Sequence, residues 1–342
     1  MKSLKELIDH FKRGPSDLVG IETRNDGTRV VRMRKNDEEL SVISADTLPP
    51  VNIPEESEAV SPAPLDLPGK LKAKYASIAI SSKNATVKLL SFPGRFDAEA
   101  EAKVVDSLGL EKPDDFRIGY KLISEGKGKS ESKVLAVAVP EIQAQSAVML
   151  LSHGRPAPFS LEISGLAAMT AFSRSPKIHK ENESVGAIYF EESTTTFVIF
   201  HKRLPALVRT FDIGTNTILD KVQETLGVDK DTAQGIIADG AFDISQAVSK
   251  IMGPLVKQLI VSRDFVERRE NCHVAKIYAS GGLIVSRDSL NEMQQSLGID
   301  IDFWNPFDGL NMAPNAYPES LSGQEWQFSA AVGACLATFE ES

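Results

Sequence analysis

Apolar and polar residues alternate along some stretches of this chain and recur every three to four residues along others, and the two periods mark different elements. Asp17-Leu18-Val19-Gly20-Ile21 and Thr28-Arg29-Val30-Val31-Arg32-Met33 flank Asn25-Asp26-Gly27, which predicts two short strands joined by a turn over 17–34. Ala76-Ser77-Ile78-Ala79-Ile80 and Ala85-Thr86-Val87-Lys88-Leu89-Leu90 read as a second, hairpin-like pair. A helix is expected at 97–108, with Ala98, Ala102, Val105 and Leu108 as its apolar positions. Strands at 116–123 and 133–139 flank the loop Gly126-Lys127-Gly128-Lys129-Ser130. A helix from Pro140 to Leu151 follows, then a strand entering a helix over 159–172.

At Val185 the pattern begins again. Gly186 to Phe190, Thr196 to Phe200 and Ala206 to Phe211 predict three consecutive strands, followed by helices at 216–226, 231–238 and 244–269. Asp243 and Gln246 have capping-box spacing at the start of the last, and Ile251, Leu255 and Leu259 mark it as long and largely buried. A strand over Ala275–Ala279, the pair Gly281-Gly282, a helix at 287–297 and a small-residue helix around Ser329-Ala330-Ala331-Val332-Gly333-Ala334 complete the chain. Each half therefore opens with antiparallel strands and continues into helices, an internal duplication.

Two stretches stand outside this rhythm. Residues 1–16 read as an amphipathic helix: Leu4, Leu7, Ile8 and Phe11 share a face, and Gly14-Pro15 ends it. Residues 46–68 hold six of the 18 prolines together with Glu55, Glu56 and Glu58, and are expected to form an extended, mobile acidic loop.

Composition narrows the function classes. A net charge of -9 argues against nucleic acid, whose phosphates call for clustered Lys and Arg. Cys272 and Cys335 sit in no metal-like spacing and form no disulfide framework, and the five histidines are scattered, so no metal site is expected and a reducing cytosol is. No apolar run is long enough to cross a membrane, and no signal peptide is visible. Gly128-Lys129-Ser130 ends like a phosphate-binding loop, but Ile123 stands where its first glycine belongs, so a solvated hairpin tip is the better reading. Phe303, Trp304 and Phe307 read as a packing cluster, and no nucleophile stands beside a base in a recognisable motif.

In sequence order, several short segments resemble the FtsA and PilM branch of the actin-like ATPases, PilM being a type IV pilus assembly protein. Gly20-Ile21-Glu22-Thr23-Arg24-Asn25 matches the family's opening Gly-Ile-Asp-Ile-Gly-Ser-type strand and loop. Phe211 to Ile218, around Asp212-Ile213-Gly214-Thr215, resembles its passage from the third strand of the second half into a helix. Ala233-Gln234 stands where the family has Ala-Glu followed by a lysine. Tyr278-Ala279-Ser280-Gly281-Gly282 resembles the adenosine-side diglycine, Asn305-Pro306 the Asn-Pro after it, and Phe328 to Ala337 the closing helix. The resemblance implies an α/β fold of duplicated actin-like (ribonuclease H-like) domains. A first half would span 17–183, with a small inserted subdomain at 94–155, and a second 184–342. It also implies a cytoplasmic scaffold, peripheral to the inner membrane, that binds the cytosolic tail of a PilN-like membrane protein among pilus platform components.

The nucleotide motifs depart from that family. Two phosphate loops need glycines so that backbone N–H groups can approach phosphate oxygens, with an acid near Mg²⁺. Glu22 keeps an acid, but Arg24 replaces the first loop's glycine, and Phe190-Glu191-Glu192 replaces Asp-Ile-Gly in the second. Residual nucleotide contacts are expected only from Glu22, Arg24, Thr195, Gly281 and Gly282, with no catalytic residue. Mg-ATP is thus expected to bind weakly if at all, and the chain to be a pseudo-ATPase rather than an enzyme. The alternatives are an active actin-like ATPase with unusual motifs or an FtsA-like filament protein, the latter disfavoured by the acidic Phe339-Glu340-Glu341, which suits anionic lipid poorly.

Overall fold

A computed structural model describes residues 14–37, 39–51, 53, 62–128, 130–151, 154–178, 183–239, 245–282 and 287–341. Residues 1–13 of the expected N-terminal helix, the Asp243 cap, and residues 52 and 54–61 of the acidic segment lie outside them. The chain begins with three antiparallel strands, β1 (Asp17–Glu22), β2 (Thr28–Asn36) and β3 (Glu39–Leu48), followed by β4 (Tyr75–Ile80) parallel to β1. The next elements are β5 (Thr86–Pro93), α1 (Ala98–Ala102), α2 (Val104–Leu108), β6 (Phe116–Ser124), β7 (Glu131–Pro140) and α3 (Glu141–Met149). Then β8 (Ala157–Ile163) returns parallel to β4 and runs into α4 (Ser164–Arg174).

The second series repeats this plan: β9 (Ser184–Phe190), β10 (Thr195–His201), β11 (Leu204–Phe211), α5 (Thr215–Leu226), α6 (Lys230–Asp239), α7 (Ser245–Glu270), β12 (Val274–Gly281), α8 (Arg287–Leu297) and β13 (Ile301–Phe303). The short β14 (Asn311–Met312) then pairs with β3, and α9 (Ser329–Glu341) ends the described chain. In the first sheet the order is β14-β3-β2-β1-β4-β8, and in the second it is β11-β10-β9-β12-β13. Setting β14 aside, both sheets run third, second, first, fourth, fifth. The duplication inferred from the apolar pattern is real at the level of strand order.

Each sheet is apolar on both faces, and side-chain alternation decides which layer a residue joins. Leu18 faces a middle layer made by α4 and α9, while Val19 and Ile21 face a separate core with Ala144, Ala147 and Leu150. Likewise Val185, Ala187 and Tyr189 face the middle layer, and Ile188 and Phe190 face the helices α5 to α8. The two sheets thus sandwich one helical pair. Close approach there depends on absent side chains: a Cβ on Gly333 of α9 would lie 1.7 Å from the Ala167 carbonyl oxygen, and one on Gly20 of β1 2.0 Å from that of Ala331. Phe172 of α4 reaches the second sheet, with ring centroids 5.6 Å from Phe200, 5.3 Å from Tyr278 and 5.2 Å from Trp304.

Four expectations need correction. A third strand, β3, follows the first two, and it takes in Asp46 to Leu48 from the expected loop. That loop is not free at its described flanks either: Ile53 and Leu67 are buried, and Leu65 N–H donates to the Leu150 carbonyl. Its apolar residues outweighed its prolines. β5 forms no hairpin with β4. It pairs with β7, in a third sheet of order β5-β7-β6. Finally, the helix expected at 97–108 is two short helices, broken at Lys103. The insert leaves the chain between β4 and β8 of the first sheet, α3 packs on both, and β5 lies against β11 of the second sheet.

Candidate functional site

The turns after β1 and β9 are topological equivalents, and they face each other across the gap between the sheets. Parity explains what meets there. Glu22 ends β1 on the face of Leu18 and Gly20, and Tyr189 lies near the end of β9 on the face of Val185 and Ala187. Both side chains therefore point into the middle layer, where the Tyr189 hydroxyl donates to Glu22 Oε1 in a short bond. Burial pushes the Glu22 carboxyl up, against the opposing pull of Arg24 and Tyr189.

Arg24 fills the space between the two turns. Its guanidinium donates from Nε to Asp26 Oδ1 at 2.8 Å and from Nη2 to Asp26 Oδ2 at 3.2 Å, and Nη1 lies 3.8 Å from Glu22 Oε1. Arg29 adds a second cation: Nη2 is 3.3 Å from Asp26 Oδ2, Nη1 donates to the Gly27 carbonyl at 2.6 Å, and Nε donates to Gln327 Oε1 at 3.1 Å. Burial opposes ionisation of Asp26, but Arg24 and then Arg29 outweigh it and hold the carboxyl below its ordinary range. The fork of Arg24 lies so close to the diglycine that a Cβ on Gly282 would sit 2.8 Å from Nη2.

On the other side, Glu192 reaches across the gap and accepts a short hydrogen bond from the Asn25 N–H. A carboxylate of the second series thus stands on the backbone of the first turn, where an anionic ligand would find its donor. Glu191 turns instead toward the first turn of α4, where a Cβ on Gly165 would lie 2.5 Å from its Oε1. Its Oε1 accepts from the Thr196 hydroxyl at 3.0 Å, and Oε2 has no partner among the described residues. The carbonyls of Glu191 and Glu192 accept from the N–H groups of Thr215 and Asn216 at 2.9 and 2.8 Å. They satisfy the first donors of α5, so Asp212-Ile213-Gly214-Thr215 is a strand-to-helix turn docked on the second turn.

The expected site residues divide. Glu22, Arg24 and Gly282 converge. Gly281, at φ 115°, lies against Phe190, whose carbonyl oxygen would be 2.3 Å from a Cβ there, and Gly282 N–H donates to that carbonyl at 2.9 Å. Thr195 turns away, donating to the Ile213 carbonyl at 2.6 Å. The sequence reading passed over Asp26, Arg29, Tyr189 and Gln327. Asp26 looked like a turn residue and Tyr189 like core. The available signal was two arginines flanking that turn, too polar for a solvent-free strand end without acidic partners.

Arg24 is buried between the turns, Glu192 bridges them on the Asn25 N–H, and the second turn offers carboxylates in place of the expected glycine. Among the described residues no cluster of three His, Cys, Asp or Glu could hold a metal, and no helix is long and apolar enough to cross a membrane.

Two sheets of the same strand order, a shared pair of middle-layer helices and facing turns at the ends of β1 and β9 define an actin-like fold, α/β in class. Its architecture is similar to that of a chain in the PilM–PilN type IV pilus biogenesis complex, with a TM-score of 0.76 at 16% identity over 95% of this chain and 99% of that one. A Bacteroides thetaiotaomicron protein of actin-like ATPase fold and unknown function gives a TM-score of 0.45 at 10% identity, over 87% and 95%. An archaeal actin homolog gives 0.43 at 11%, over 95% and 100%. No family model matches the sequence, and neither does any curated protein.

Proposed function

We propose that the chain is a PilM-like scaffold and pseudo-ATPase that binds the cytosolic tail of a PilN-like inner-membrane protein in type IV pilus or related envelope assembly. The protein would then be cytoplasmic and held at the inner membrane through that partner, alongside other pilus platform components. In this reading residues 17–183 make the first actin-like half, with the insert as its small subdomain, and 184–342 the second, whose last helix returns to the first. The partner assignment draws on the likeness to the PilM–PilN complex and on the order of the sequence segments. The pseudo-ATPase assignment draws on one observation: the gap between the two turns is filled by Arg24 and bridged by Glu192 on Asn25 N–H.

Calorimetric titration with Mg-ATP and with adenosine, together with a phosphate-release assay, tests the second part. We expect no turnover, and adenosine affinity near millimolar, about 4 kcal/mol. Micromolar Mg-ATP binding, more than tenfold tighter than adenosine, would mean that the phosphates are gripped and that the chain is an ATPase with unusual motifs. Binding of the cytosolic tail peptide from an adjacently encoded single-span membrane protein tests the first part independently, and failure of every such tail to bind would remove the scaffold reading.

A further inference from the structure

Among the described residues two of the four cleft acids, Glu191 and Glu192, form no ion pair, and Glu192 has the Asn25 N–H instead. Counted as ions, Arg24 and Arg29 balance Asp26 and Glu22. The Glu191 side chain is buried, and its Oε1 is wedged between the Thr196 hydroxyl and the first turn of α4, so tightly that a Cβ on Gly165 would lie 2.5 Å from it. Its Oε2 meets no hydrogen-bond partner among the described residues. A carboxylate so placed carries an unsatisfied buried charge, whereas a carboxylic acid carries none.

We propose that Glu191 is a proton-operated latch: with its carboxyl neutral the two sheets close over it, and its ionisation loosens their contact at this end of the gap. The groups that face it from each neighbouring element are few. The Ser81 hydroxyl just after β4, the Thr196 hydroxyl of β10 and Arg24 of the turn after β1 favour ionisation, Glu22 of β1 opposes it, and Tyr189 precedes it on β9. Burial is the largest influence, and it leaves the carboxyl titrating at about 7. In an opened gap, water would return the group to its ordinary range. The closed state therefore binds the extra proton, and closure weakens as pH rises through neutrality. The device concerns closure of the nucleotide-free chain and goes beyond the scaffold reading.

Hydrogen exchange of the nucleotide-free chain tests it, with rates corrected for the intrinsic pH dependence of exchange. The Asn25, Thr215 and Gly282 amides, each bonded across or beside the gap, report opening. Between about pH 6 and about pH 8 their opening equilibrium should rise about tenfold, while the amides of α9 stay unchanged. Glu191→Gln should flatten that rise, and Glu192→Gln should keep most of it. An unchanged rise in the Glu191→Gln protein, or no rise in the wild type, overturns the latch. Should that variant not fold, infrared titration of the wild type decides: a protonated-carboxyl band present at about pH 6 must vanish by about pH 8, and its absence at the lower pH overturns the proposal.

Discussion

The two sheets are joined at two places by opposite means. At the middle layer, α4 and α9 cross at Gly333 and Ala167, and Phe172 reaches Phe200, Tyr278 and Trp304 without a charged group in the contact. At the facing turns the junction is made of Glu22, Arg24, Asp26, Arg29, Tyr189 and Glu192. The first junction is apolar and indifferent to pH. The second is ionisable and in large part buried, so its members depend on one another to stay satisfied. The lesson is that the fold joins its sheets by packing in the middle layer and by charge at the facing turns.

The apolar junction should be the stronger. Phe172→Ala removes a buried aromatic hub and leaves a cavity between the sheets, with an expected loss of about 3 to 5 kcal/mol in a urea unfolding curve. A loss below about 1 kcal/mol would show that the middle layer repacks and does not hold the halves. Tyr189→Phe deletes one hydrogen-bond donor and leaves Glu22 without it, at about 1 to 3 kcal/mol. That variant should also speed exchange at the turns while sparing α9, and equal effects at both places would erase the contrast drawn above. The smallest effect is expected at Glu340, which lies 2.9 Å from Lys121 Nζ on β6 and 2.7 Å from Arg174 Nε on α4. Burial opposes the charge, but Lys121 and Arg174 prevail and lower the carboxyl's pKa. Its contribution is therefore present above the ordinary carboxylate pKa and fades as pH falls through the folded value. Glu340→Gln at neutral pH should cost under about 1 kcal/mol, because both cations are half exposed.

Much of this molecule is legible in its sequence, and the misses share a cause. The second sheet follows from runs such as Gly186 to Phe190, which are continuous because both faces are buried. Strand β3 escaped notice because Ser41, Ser44 and Asp46 break its apolar alternation, and its pairing with β2 supplies what its composition lacks. The partner of β5 could not be read, since the pairing with β7 is fixed by residues some 45 positions away rather than by a turn. In the cleft, Arg24 and Glu192 were recognised as intrusions because a glycine-bearing pattern made their size conspicuous. Asp26 and Arg29 were not, because a buried charge pair has no local pattern: only the tertiary structure brings Gln327 to Arg29.

The strand β14 has a consequence in time. Asn311 and Met312 cover the free edge of β3, Ala45 N–H donates to the Ala316 carbonyl, and Lys35 Nζ reaches the Phe339 carbonyl across 304 residues of chain. During synthesis β1 to β3 are made well before the cover of their outer edge and the helix under β1. Until then β3 presents unpaired backbone groups, and Leu18 and Met33 lack their cover. The first half thus stays unfinished until β14 and α9 have been made, and it becomes a stable body only as they close over it.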